Sequence, residues 1–151
     1  MSTVSPIVLD RSDISVESVQ RVFDAACLNT EIDDHGYLVV SDGRTKYVID
    51  PDKDGDDIVM FAVFGLSEES SEDAQLAAAA AINSEYKMVR AAVHYQHDAS
   101  GPRAMVLDYL LCTAGGVTAK TIIAGWQRFA SILRHAVRRA EVCEVLGASR
   151  D

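Results

Sequence analysis

Seven consecutive apolar residues, Ile58-Val59-Met60-Phe61-Ala62-Val63-Phe64, stopped by Gly65, constrain this chain more than any other feature. The run is too short to cross a bilayer as a helix, and it is bounded by the acidic segment Asp50–Asp57 and by a glycine, which are the marks of a strand. As a strand it is apolar on both faces, so the sequence predicts a sheet covered on both sides. A second run of this kind, Met105 to Cys112, is apolar apart from Asp108.

Neighbours for these strands are supplied locally. Tyr37-Leu38-Val39-Val40 and Thr45-Lys46-Tyr47-Val48-Ile49 flank Ser41-Asp42-Gly43-Arg44, and Asp-Gly is the pair favoured by a type I′ hairpin turn. Tyr86 to His94 and Ala104 to Cys112 form a second strand pair around a Gly-Pro loop, His97 to Pro102. Helical periodicity appears three times. Ser15 is placed to cap a helix reaching about Leu28, Ser67 to Ser71 offer caps for a helix over Glu72 to Ser84, and Thr118 caps a long helix to about Leu146. The predicted class is α+β, an antiparallel sheet flanked by helices in the order α-β-β-β-α-β-β-α. The 151 residues are expected to form one domain over 1–151, with an ordered core of about 15–146.

Charge removes several functions. The formal net charge is −9, and phosphate-driven binding needs clustered Lys and Arg, so neither nucleic acid nor an anionic membrane is an expected partner. The charge is uneven: residues 1–73 carry 17 acidic and 5 basic side chains, residues 74–151 carry 6 and 9. Cys27, Cys112 and Cys143 are odd in number and far apart, which fits no disulfide framework or CxxC site, so they are expected to be reduced, buried thiols. Met1 to Asp10 has no signal-peptide pattern and the longest uncharged stretch, Ala74 to Ser84, is short, so a cytoplasmic location is expected.

Three segments imitate chemical motifs. Asp50-Pro51-Asp52-Lys53-Asp54-Gly55-Asp56 has the alternating carboxylates and glycine of the first half of a calcium loop. The bidentate carboxylate due at the twelfth position is Phe61 and the aliphatic eighth position is Asp57, so the expected role is a solvated acidic turn. Ala114-Gly115-Gly116-Val117-Thr118-Ala119-Lys120-Thr121 ends like a phosphate loop, yet alanine replaces both signature glycines. His94 and His97 are three apart on an expected strand, which sends them to opposite faces. His35 and His135 stand alone, and no nucleophile elbow, HExxH or CxxC occurs. No catalytic, cofactor-binding or metal-binding residue is assigned. Cys112, at the end of an apolar strand, is expected to be packing rather than a nucleophile.

Asp108 needs a partner within its apolar run, and counting back through the loop places Arg90 within cross-strand reach. In the last helix, Arg128, Arg134, His135, Arg138 and Arg139 lie outside the apolar face that contains Trp126, where the helix dipole favours cations.

The element order, the Ala81-Ile82-Asn83-Ser84 passage into Tyr86 and the stretch Val106 to Leu133 resemble the YbjN-like proteins, bacterial sensory transduction regulators with the fold of type III secretion chaperones. The resemblance spans about Ser15 to Leu146. It implies a helix-flanked antiparallel sheet, a tendency to dimerise and action by protein contact in regulation or chaperoning, with no active-site residues to carry over. The expected function is a non-enzymatic protein-binding module, homodimeric, with an unidentified protein partner and no cofactor. The alternative is a calcium or small-ligand sensor using the Asp50–Asp57 turn.

Overall fold

The computed structural model describes residues 7–94 and 103–147. The loop His97 to Pro102 and the residues beyond Gly147 therefore lie outside the described residues. The chain divides into two compact units, one built from 1–60 and 110–128, the other from 61–109 and 129–151. Among the described residues there are eight strands and four α-helices, and no helix is long and apolar enough to cross a membrane.

In the first unit, α1 (Val16–Ala25) begins with a reciprocal cap: Ser18 N donates to Ser15 Oγ at 3.1 Å and Ser15 N donates to Ser18 Oγ at 2.9 Å. It ends without a glycine because Cys27 itself takes the left-handed conformation, φ 59°. The apolar stripe Val19, Val22 and Phe23 is buried. Facing it are β2 (Asn29–Ile32), β3 (Leu38–Ser41) and β4 (Lys46–Pro51), followed by the start of β5 (Asp57–Gly65), hydrogen-bonded in the order β2-β3-β4-β5. Leu38 pairs with Ile49 and Val40 with Tyr47, and all four are fully buried. Trp126, on the first part of α3 (Ala119–Ala136), sits edge-on to both Phe23 (centroids 6.1 Å) and Tyr47 (5.7 Å).

The β3–β4 hairpin forms as expected, but its turn is not type I′. That turn needs positive φ at two successive residues, and only Gly43 has it here (φ 87°). The loop is longer, closing through Asp42 N to Thr45 O, and the Asp42 carboxylate accepts the amides of Arg44 and Thr45 at 3.0 and 2.8 Å. A side chain able to satisfy two loop amides makes the four-residue turn competitive with the tight one.

The second unit holds the rest of β5, then α2 (Glu72–Glu85), β6 (Arg90–His94), most of β7 (Ala104–Cys112), the end of α3 and a one-turn α4 (Ala140–Cys143), with strand order β5-β7-β6. The alanine run of α2 permits close approach, burying Ala78, Ala79 and Ile82. Tyr109 stacks on Phe129 (6.0 Å). The single long last helix expected to about Leu146 is broken: α3 stops at Ala136, and Arg139 (φ −63°, ψ 140°) restarts the chain as the N-cap of α4. This turn lets Val142 and Val145 be buried, and lets Val145 O accept the amide of Ser67.

β6 ends its sheet, and its outward backbone edge is occupied. Asn83 Nδ2 donates to Ala91 O at 2.9 Å, and Ala91 N donates to Asn83 Oδ1 at 2.7 Å. The side-chain amide acts as one more peptide unit of a missing strand, which blunts the open edge at Ala91. Asn83→Ala is expected to cost about 1–2 kcal/mol for the two lost hydrogen bonds, measured by urea titration, and to make the chain associate through the freed edge. An unchanged midpoint would contradict this role.

Candidate protein-binding surface

The acidic turn is filled from within the chain. Arg11, in a 3-10 turn (Arg11–Asp13), donates from Nε to Asp54 O at 2.9 Å and from Nη2 to Asp56 Oδ2 at 2.8 Å. Its Nε also stands 2.6 Å from Asp56 Oδ1, a charge contact without a hydrogen bond because the N–H is directed at Asp54 O. Thr113 holds the far side, its Oγ1 donating to Gly55 O at 2.8 Å and its amide to Asp56 O at 2.6 Å. Three carbonyls and one carboxylate that a cation would seek are thus already bonded. Partial burial, then repulsion from Asp52, pushes the Asp50 carboxyl above its usual range. Among the described residues no three His, Cys, Asp or Glu side chains converge on a metal-sized site.

The glycine loop is likewise structural. Gly116 has φ 85°, and Thr118 Oγ1 accepts the amide of Thr121 at 3.1 Å, capping α3. His94 is on the exposed face of β6, and His97 lies outside the described residues. His35 donates its amide to Asp33 in an exposed turn, and His135 Nδ1 is 2.8 Å from Ser131 O on α3.

The cysteines correct the expectation of burial: all three are exposed. Cys27 stands in the turn after α1, Cys112 is the last residue of β7, and Cys143 faces outward from α4 with Sγ 2.9 Å from Val137 O. Each occupies an element end, where residue type constrains burial least.

Arg90 and Asp108 pair directly across β6 and β7, as expected. Both Nε and Nη2 donate to Asp108 Oδ2, at 3.1 and 2.8 Å, and this bond raises the pKa of Arg90. With the arginine side chain 76% exposed the pair sits on an open surface, where solvent screening leaves an ion pair little net stabilisation. Of the basic residues at the end of the last helix, Arg139 pairs with Glu141 and Glu85. That contact lies within the second unit.

The Arg90–Asp108 surface leads to the main correction. The two apolar strands are not covered on both sides. Along β5, Ile58, Met60 and Ala62 are buried while Val59 and Phe61 are half-buried and Val63 is 55% exposed. Along β7, Met105, Leu107 and Tyr109 are buried, Val106 is half-buried and Leu110 is 57% exposed. Among the described residues, these side chains form an apolar face left partly open to solvent. In the second unit this face consists of Phe61 and Val63 on β5 and Val106 on the neighbouring β7, with Ala92 opposite Val106 and the Arg90–Asp108 pair next along. It is rimmed by charge and apolar within, the composition of an interaction surface. Elsewhere in this unit, Ser70, Ser71, Ala74, Ala78, Glu141 and Glu144 line a surface groove with an alanine floor and an acidic rim. Cys112 and Asp108 line neither this groove nor the shallow hollow that Glu31 and Lys46 bridge in the first unit.

Comparison with known proteins bears on family and fold. The family model YbjN, described as "Putative bacterial sensory transduction regulator", matches residues 15–141. The crystal structure of YbjN from E. coli, described as "a putative transcription regulator", superposes with TM-score 0.77 at 15% identity, covering 93% of this chain and 99% of that one. The Yersinia pestis type III secretion chaperone SycH, solved in complex with a stable fragment of YscM2, gives 0.50 at 15% identity over 81% of this chain and 96% of its own. An uncharacterized protein from Methanothermobacter thermautotrophicus gives 0.54 at 12%, over 82% and 94%. No curated protein matches the sequence.

Proposed function

The chain belongs to the YbjN family, and from that premise we propose that it acts without catalysis as a protein-binding module, chaperone-like or regulatory, working as a homodimer in the cytoplasm and as one domain over 1–151. The observation that carries this reading is the uncovered apolar face of the second unit, Phe61, Val63 and Val106 beside the Arg90–Asp108 pair. The likeness to a chaperone solved with a protein fragment supports it at the level of fold. Immobilised chain is expected to retain a discrete protein from an extract of its host through a high-salt wash, as an apolar contact allows; repeated captures without a specific protein would contradict the reading. Light scattering at high micromolar concentration is expected to report twice the chain mass, and a strict monomer would remove the homodimer.

The alternative, a calcium or small-ligand sensor at Asp50–Asp57, requires any cation to compete with Arg11 for Asp56 and Asp54. No observation favours it over the protein-binding reading.

A further inference from the structure

The segment Ile7–Asp13 crosses the first unit as a narrow strip. Its β1 (Val8–Leu9) pairs only with the two-residue β8 (Val117–Thr118), in a small sheet separate from the main one. Ile7 and Val8 are more than half exposed, so apolar burial holds this strip weakly. Its fastening is polar. Ile7 O accepts the amide of Ala119 at 3.0 Å, satisfying a donor at the start of α3 that has no partner inside the helix. Leu9 O lies 3.2 Å from where a Cβ on Gly116 would stand, and Arg11 O only 2.3 Å from where one on Gly55 would stand. Both glycines have left-handed φ, 85° and 71°. The body is therefore contoured, at two positions open only to glycine, to seat this strip. The Arg11 side chain then fastens it to Asp54 O and the Asp56 carboxylate, with side chains 53% and 41% exposed.

We propose that Ile7–Asp13 is a releasable strap whose latch is Arg11, opening as a local unit while the rest of the first unit stays folded. Release uncovers the pairing edge of β8 and returns the carbonyl and carboxylate oxygens of the acidic turn to solvent. A half-exposed latch made by one charged group is weakened by ions, so the strap responds to ionic strength as a buried apolar one would not.

Amide exchange by NMR on the full chain tests this, because the Ala119 amide is protected by the strap and the β3–β4 amides by the core. In the wild type, Ala119 is expected to exchange at least about tenfold faster than the β3–β4 amides, as sub-global opening requires. Arg11→Gln is expected to raise the Ala119 rate about threefold to tenfold with the hairpin unchanged, and Arg11→Lys to give an intermediate value. Raising salt to about 0.5 M is expected to accelerate Ala119 in the wild type and not in Arg11→Gln. Equal rates for Ala119 and the hairpin in the wild type would overturn the strap. Equal acceleration of both in Arg11→Gln would overturn the latch.

Discussion

Gly55→Ala is expected to lower stability by about 3 kcal/mol, through two costs that add. The first is conformational: φ at Gly55 is 71°, and a side chain in the left-handed region costs about 1–2 kcal/mol. The second is steric, because the new Cβ would stand 2.3 Å from Arg11 O and 3.2 Å from its carbonyl carbon, both backbone atoms. Relief requires the 3-10 turn to move off the acidic turn, breaking the bonds from Arg11 to Asp54 and Asp56. In a chain of this size such a loss lowers Tm by about 6–12 °C. Gly43→Ala separates the two costs. Its φ is 87°, with nothing within 4 Å of the added Cβ, so only the conformational cost of about 1–2 kcal/mol should appear. Equal losses at the two positions, read from thermal melts by circular dichroism, would contradict the steric argument.

Trp126→Ala is expected to cost about 3–5 kcal/mol, the range for removing a large aromatic side chain from a core. Trp126 is 6% exposed and meets Phe23 and Tyr47 edge-on, so its loss strips one ring partner from both α1 and β4. Its Nε1 is buried without a hydrogen-bond partner, a position that already costs stability. Trp126→Phe should therefore be far milder, about 1 kcal/mol, since the ring contacts persist and the orphan donor is gone. Chemical denaturation followed by circular dichroism distinguishes them, and comparable losses for Phe and Ala would show that the indole nitrogen is satisfied after all.

What the sequence revealed was mostly local. The strand Ala104–Cys112 has the expected bounds because Gly101-Pro102 and the apolar run Met105 to Cys112 mark it. Arg90 opposite Asp108 followed from counting through a loop. Asn83 lies in the Ala81–Ser84 passage that carried the resemblance to the YbjN family, but its bonds to Ala91 at the β6 edge were not read from the sequence. β2 was missed because Asn29-Thr30-Glu31-Ile32 has no buried residue and thus no period to read. The break between α3 and α4 was missed because no glycine or proline marks Val137–Arg139, and tertiary contacts of Val142 and Val145 decide it.

The candidate surface was half legible. Sequence identified the two strands apolar on both faces, but a sequence cannot distinguish a face covered by another layer from one left partly open to solvent. The partner of the acidic turn was invisible for a different reason: Arg11 and Asp56 are 45 residues apart, and nothing local to either predicts the other.

Capture of the chain's partner with wild type and Val63→Glu side by side tests whether binding goes through the apolar face of the second unit. Val63 is 55% exposed, so the substitution should change stability by no more than about 0.5 kcal/mol while placing a charge in the apolar face. A specific protein is expected to be retained by the wild type and lost by Val63→Glu at unchanged Tm. Equal retention by both would contradict binding through this face.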